Sequence, residues 1–150
     1  MNSHHLNSMW KRESARNAWF FFADFVGAPI WDVWTMIREL DPKHIGMCFY
    51  ISHSTLEGRL SWPVQARLME PFYVAVYLKD FYWEKNAKGR QPLVCPFGEG
   101  SVQRSFLTNL TTTNFAGLLS QHHEYKTLGI GKETIANMKK DTAKLREWIA

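Results

Sequence analysis

Val74-Ala-Val-Tyr-Leu-Lys-Asp-Phe-Tyr-Trp-Glu-Lys-Asn-Ala-Lys-Gly-Arg-Gln-Pro-Leu-Val-Cys-Pro-Phe-Gly-Glu-Gly100 is the stretch whose reading decides the fold. Its first part, Val74 to Leu78, is β-branched and aromatic and turns polar at once at Lys79 and Asp80. That pattern predicts a buried strand delivering charged groups to the carboxyl edge of a sheet. A long polar loop is expected next, then the glycine turn Gly98-Glu99-Gly100 and a helix from Ser101 to Leu110 with Ser101 as N-cap. Strand, loop, turn and helix form one βα unit.

Upstream the unit repeats. Gly27-Ala28-Pro29 breaks the chain before a helix from Ile30 to Leu40, whose Ile30, Val33, Trp34 and Ile37 follow the spacing of one buried face. Asp41-Pro42 ends it, because a residue before proline is pushed out of the α region. Ile45 to Ile51 is predicted as a buried strand that turns polar at Ser52, His53 and Ser54. A helix from about Ser61 to Glu70 tolerates Pro63 in its first turn and points Val64, Leu68 and Trp62 inward, and Pro71 ends it. Trp19 to Phe25 reads as a further strand, although its apolar run also suits a buried helical turn. Met1 to Asn17 is a polar arm whose His4 and His5 lack a nearby third ligand.

Downstream, Thr111 to Asn114 is a poor helix interior and serves as a connection. Gly117 to His122 is the last predicted strand, its end crowded by Gln121, His122, His123, Glu124 and Tyr125. The closing helix, from about Lys132 to Ile149, puts Ile135, Met138, Thr142 and Leu145 on one stripe with Trp148 or Ile149. Strands alternating with helices at this spacing require parallel pairing with right-handed crossovers. The expected class is α/β, built of parallel (β/α) units. A closed barrel of such units needs eight strands and about 250 residues, so this chain supplies about half of one.

Composition narrows the functional classes. At 150 residues and 45% hydrophobic the chain suits one domain. The net charge of +4 is spread among acidic residues, with no basic run beyond Lys11-Arg12 and Lys139-Lys140, which argues against a nucleic-acid partner. Cys48 and Cys95 are far apart and lack CxxC spacing, so neither a zinc knuckle nor a disulfide framework is indicated. A reducing, cytoplasmic location fits. The apolar run Ala18 to Val26 is interrupted by Asp24 and is too short to span a membrane, and it lacks a signal-cleavage pattern.

Several short motifs fall at the strand ends in order: Gly-Ala-Pro-Ile-Trp-Asp at 27–32, Asp-Pro-Lys-His-Ile-Gly at 41–46, Tyr-Ile-Ser-His at 50–53, Leu-Lys-Asp at 78–80, Phe-Gly-Glu-Gly at 97–100 and Gln-His-His-Glu-Tyr at 121–125. Together they resemble the carboxyl half of a sugar phosphate isomerase/epimerase of the xylose-isomerase-like TIM-barrel superfamily. The resemblance covers residues 27–150 as a partial barrel domain and leaves 1–26 as a divergent arm. It implies a divalent metal, Mn, Mg or Zn, at the strand ends, which polarises a sugar carbonyl while acid/base groups move the proton. It also implies a truncated or degenerate form of such an enzyme; the alternative is a non-catalytic half-barrel acting as a structural or interaction protein.

The resemblance assigns His53 and Lys79 to catalysis, Asp80, Glu99 and Glu124 to substrate binding, and His122 to metal. The sequence departs from the family's pattern at Tyr50 and Tyr77, which stand near an aspartate and a histidine ligand position and suit packed aromatics instead. Each assignment has a structural counterpart. His53 is otherwise a hydrogen-bonded loop histidine, Lys79 and Asp80 an ion pair at the barrel rim, and Glu99 a helix-entry carboxylate. His122 and His123 are adjacent on a strand and therefore point to opposite faces. Cys48 reads as a core thiol, Cys95 as a loop thiol, and Trp31, Trp34 and Trp62 as core. The implied partners are a sugar or sugar phosphate and either a second copy or a partner half-barrel, with no nucleic acid and no membrane.

Overall fold

The computed structural model describes residues 19–22, 29–113 and 115–150. In chain order they form β1 (Trp19–Phe22), α1 (Ile30–Ile37), β2 (Ile45–Tyr50), α2 (Ile51–Gly58), α3 (Trp62–Met69), β3 (Tyr73–Leu78), β4 (Asp80–Asn86), β5 (Gly89–Cys95), α4 (Arg104–Thr111), β6 (Leu118–Gln121) and α5 (Lys132–Ile149). Residues 23–25 of the expected first strand, and His4 and His5, lie outside the described residues.

The main sheet has the order β1-β2-β3-β6, and every neighbouring pair is parallel. Each new strand is added beside the previous one, without the reversal that marks a doubly wound sheet. This is the winding of a TIM barrel, here as a partial, unclosed one. Period two then sorts side chains between the faces. Ile45, Met47, Phe49, Val76 and Leu78 join α1, α3, α4 and α5 in one core through Val33, Ile37, Trp62, Met69, Phe106 and Leu145. Cys48, Tyr50, Ala75 and Tyr77 form a smaller buried group on the other face, which is the barrel's interior side.

A bulge sets the register between the two central strands. Met47 pairs with Tyr73 but Cys48 with Ala75, which leaves Val74 as the extra residue. Val74 crowds Gly46, where an added Cβ would collide with its side chain. Glycine is required there by space.

Several expectations are corrected. The polar segment after β2 is not a loop: α2 begins at Ile51 directly behind the strand. The loop expected after Asp80 is an antiparallel hairpin, β4 paired with β5 from Asp80↔Cys95 to Asn86↔Gly89. Gly89, at φ 104°, and an Asn86 side chain accepting from Lys88 N–H close its turn. Cys95 consequently ends a strand and is buried rather than lying in a loop. Ser101 is not the N-cap of α4: Gln103 holds that position, without a side-chain cap bond.

Helix faces also differ. On α3 the buried residues are Trp62, Gln65 and Met69, while Val64 is exposed. Gln65 belongs inside because its Oε1 accepts from the buried Ser54 hydroxyl of α2 at 2.5 Å. Trp31 is 46% exposed and is not core, whereas Trp34 packs against the core and Trp62 is buried. On α5 the inward residues are Asp141 and Leu145, and Ile135 and Met138 face out. No described helix is long and apolar enough to cross a membrane.

Candidate functional site

Three strand ends converge at the carboxyl edge. Because α2 starts immediately after Tyr50, its first turn folds His53 back onto that ring, stacked at 4.7 Å between centroids and 8° between planes. Tyr50 meets Tyr77 of β3 edge-on at 4.7 Å. His122 lies 4.7 Å from Tyr77 and 5.4 Å from Tyr50. The His122 backbone N–H donates to the Leu78 carbonyl at 2.9 Å, which extends the β3–β6 ladder one residue past the strand. Lys79 and His122 therefore fall on the same face as Tyr77, two residues after Tyr77 and Ser120 respectively.

Glu124 ties this edge together. Lys79 Nζ donates to Glu124 Oε2 at 2.9 Å, and His122 Nδ1 is 3.6 Å from Glu124 Oε1. The hydrogen bond from Lys79, then its charge and that of His122, hold the Glu124 carboxyl below its ordinary value. His53, Tyr50, Tyr77, His122, Glu124 and Lys79 thus make one continuous set of contacts around one mouth.

Asp80 points the other way. It is 1% exposed, and its two oxygens accept from the backbone N–H groups of Phe81, Gly98, Gly100 and Val102 at 2.8 to 3.0 Å. It clamps the hairpin's return to the entrance of α4, so the carboxylate pairs with backbone and Lys79 pairs with Glu124. Burial pushes the Asp80 carboxyl up, against the pull of those four bonds. Glu99 is also away from the mouth, paired with Lys140 of α5 at 2.8 Å on the surface.

His123 faces α5 rather than the interior. Its Nε2 is 3.5 Å from Asp141 Oδ2, which also accepts from the Tyr125 hydroxyl at 2.9 Å. Adjacent residues on an extended segment diverge to opposite faces, and here they serve opposite sides of the sheet. The Asp141 cluster escaped the sequence reading. Its only local signal is an aspartate at the i−4 position from Leu145 on a stripe read as apolar. The Cys95 thiol, pushed up to about 12 by burial and then by Asp80, Glu99 and Asp141, is a poor nucleophile.

The donors present do not fit a divalent metal. Among the described residues no three His, Cys, Asp or Glu side chains are grouped to hold one. The strand-end positions 50 and 77 carry phenols, whose ordinary pKa of about 10 makes them poor ligands at neutral pH. Glu124 is already neutralised by Lys79.

An unclosed array of parallel βα units with its polar mouth at the carboxyl edge defines a barrel-type α/β protein. The chain belongs to the xylose isomerase-like TIM barrel family, whose model matches residues 16–149 and so includes β1. A xylose isomerase domain protein from Planctomyces limnophilus shares the fold, with a TM-score of 0.56 and 20% identity. The match covers 79% of this chain and 41% of that one, so the chain spans less than half of that relative. No curated protein matches the chain significantly.

Proposed function

We propose that the carboxyl-edge mouth binds a sugar or sugar phosphate and that the chain is an isomerase/epimerase-like half-barrel. The observation that carries this reading is the contact chain His53–Tyr50–Tyr77–His122–Glu124–Lys79, lying where barrels of this type place their sites. Lys79 has the chemistry to direct its ammonium at a carbonyl or phosphate oxygen, since Glu124 occupies only one of its three donors. His53 flanks the ligand as the group able to exchange a proton beside that carbonyl. Asp80 contributes indirectly, by holding the loop behind Lys79.

Saturation-transfer NMR with ribose 5-phosphate at millimolar concentration tests this reading. Transfer to the sugar protons is expected in the wild type and at least about tenfold weaker affinity in Lys79→Ala, the loss of one charge-assisted hydrogen bond. No transfer, or transfer unchanged in the variant, overturns it.

A second reading, that the sheet is completed by another half-barrel, is favoured by β6, which among the described residues pairs with no strand beyond β3 and where Leu118 is 58% exposed on the interior side. Edge strands with unpaired N–H and C=O groups recruit further strands, and two copies of four strands reach the eight of a closed barrel. Light scattering after size exclusion should therefore give about twice 17.5 kDa. A peak at 17.5 kDa that does not change with concentration rejects self-association.

A further inference from the structure

We propose that the ammonium of Lys79 is the resident cation of the mouth, holding the place in the charge balance that a divalent ion has in a metal-dependent barrel, so that the ligand is taken without metal. The inference rests on the sugar-binding reading above for its ligand, but not for its central claim, which concerns the cation alone.

Three observations converge. Lys79 is on the interior side of the β3 end, its side chain only 16% exposed, with Nζ at 2.9 Å from Glu124 Oε2. Glu124 reaches from that ammonium to His122 Nδ1 at 3.6 Å, so an ordinary carboxylate donor and an ordinary imidazole donor stand side by side and the ammonium already sits on one of them. The neighbouring strand-end positions supply Tyr50 and Tyr77, which pack ring against ring. A divalent ion entering between Glu124 and His122 would meet a fixed positive charge at contact distance, carried on a side chain only 16% exposed. The same ammonium retains two N–H donors for an uncharged or anionic oxygen ligand, which selects an open-chain sugar or its phosphate over a cation.

The claim has a specific consequence: removing the ammonium should create a metal site. The test uses the full chain and Mn²⁺ alone, followed by the loss of its free-ion EPR signal. Wild type is expected to leave millimolar Mn²⁺ free. Lys79→Met, which keeps the stem and removes the charge, should bind Mn²⁺ at least about tenfold more tightly. Adding Glu124→Gln should erase that gain, and Lys79→Arg, which keeps the charge and checks that the position tolerates change, should bind no better than wild type. Tight stoichiometric Mn²⁺ binding by the wild type, or no gain in a folded Lys79→Met, overturns the proposal. A parallel saturation-transfer experiment with ribose 5-phosphate, in EDTA and in added Mn²⁺, separates the two readings. A sugar signal that requires Mn²⁺ overturns metal independence, whereas no sugar signal under either condition overturns the ligand assignment and leaves the Mn²⁺ result to judge Lys79.

Discussion

Asp80→Ala is expected to lower global stability by about 3–4 kcal/mol, because it orphans four backbone donors at once, two buried and two part-buried, at about 1–3 kcal/mol for each buried one. Phe81, Gly98, Gly100 and Val102 all give their N–H to this one carboxylate, and Asp80 itself is 1% exposed. Water can reach some of the donors once the side chain is gone, which keeps the cost below the full sum. Domains of this kind have about 5–15 kcal/mol in total, so the variant sits near the limit of folding. Asp80→Asn keeps one acceptor oxygen but turns an NH₂ toward N–H groups, and should lose about 2 kcal/mol or more. Gly100 is bound to the same geometry, since an added Cβ there would collide with Asp80 Oδ1 and the Phe81 carbonyl. Urea unfolding followed by far-UV circular dichroism measures the loss. A decrease below about 1 kcal/mol for Asp80→Ala would mean that the loop does not depend on this clamp.

Phe49→Ala should cost about 3–5 kcal/mol, the usual range for truncating a fully buried phenylalanine. The ring is 1% exposed, 4.8 Å from Tyr73 and 5.6 Å from Phe106, and so joins the two central strands to α4. Its neighbours are poorly placed to collapse into the gap. Tyr73 is held by its hydroxyl, which donates to the Ala66 carbonyl at 2.8 Å, and Phe106 also meets Trp62 edge-on. Phe49→Leu leaves a smaller gap and should cost less than half as much. Ile130→Ala, at a site 92% exposed, should change stability by no more than about 0.5 kcal/mol. A shift in urea midpoint at constant slope is the expected signature. Equal midpoints for Phe49→Ala and Ile130→Ala would contradict the core assignment.

The two effects act on opposite sides of the architecture. Phe49 faces the helices and supports the sheet, while its chain neighbour Tyr50 faces the mouth. The same period of two that separates them puts Lys79 beside Tyr77 and sends Asp80 back toward the helices. Support and site are therefore built from alternate residues of the same strands.

The sequence by itself determined the β/α alternation and the parallel class, because apolar runs of strand length stand between segments of helical period, with Pro29, Pro42 and Pro71 punctuating them. It located α5, about Lys132 to Ile149, from an apolar stripe at helical spacing with Lys and Glu on the other face. It also implied that His122 and His123 diverge, which follows from strand geometry alone. The hairpin was legible only in part: Phe81-Tyr82-Trp83 has strong strand preference, but Lys85, Lys88 and Arg90 gave its tip the composition of a loop.

Tertiary structure alone decided which charges meet. Lys79 finds Glu124 forty-five residues away because the parallel β3–β6 register brings those strand ends level. Asp80 becomes a clamp only because the hairpin returns Gly98 to Val102 to its side. Local pattern assigns a side chain to a face, but its partner across parallel strands depends on register and on loop closure, and neither is encoded within the strand that carries it.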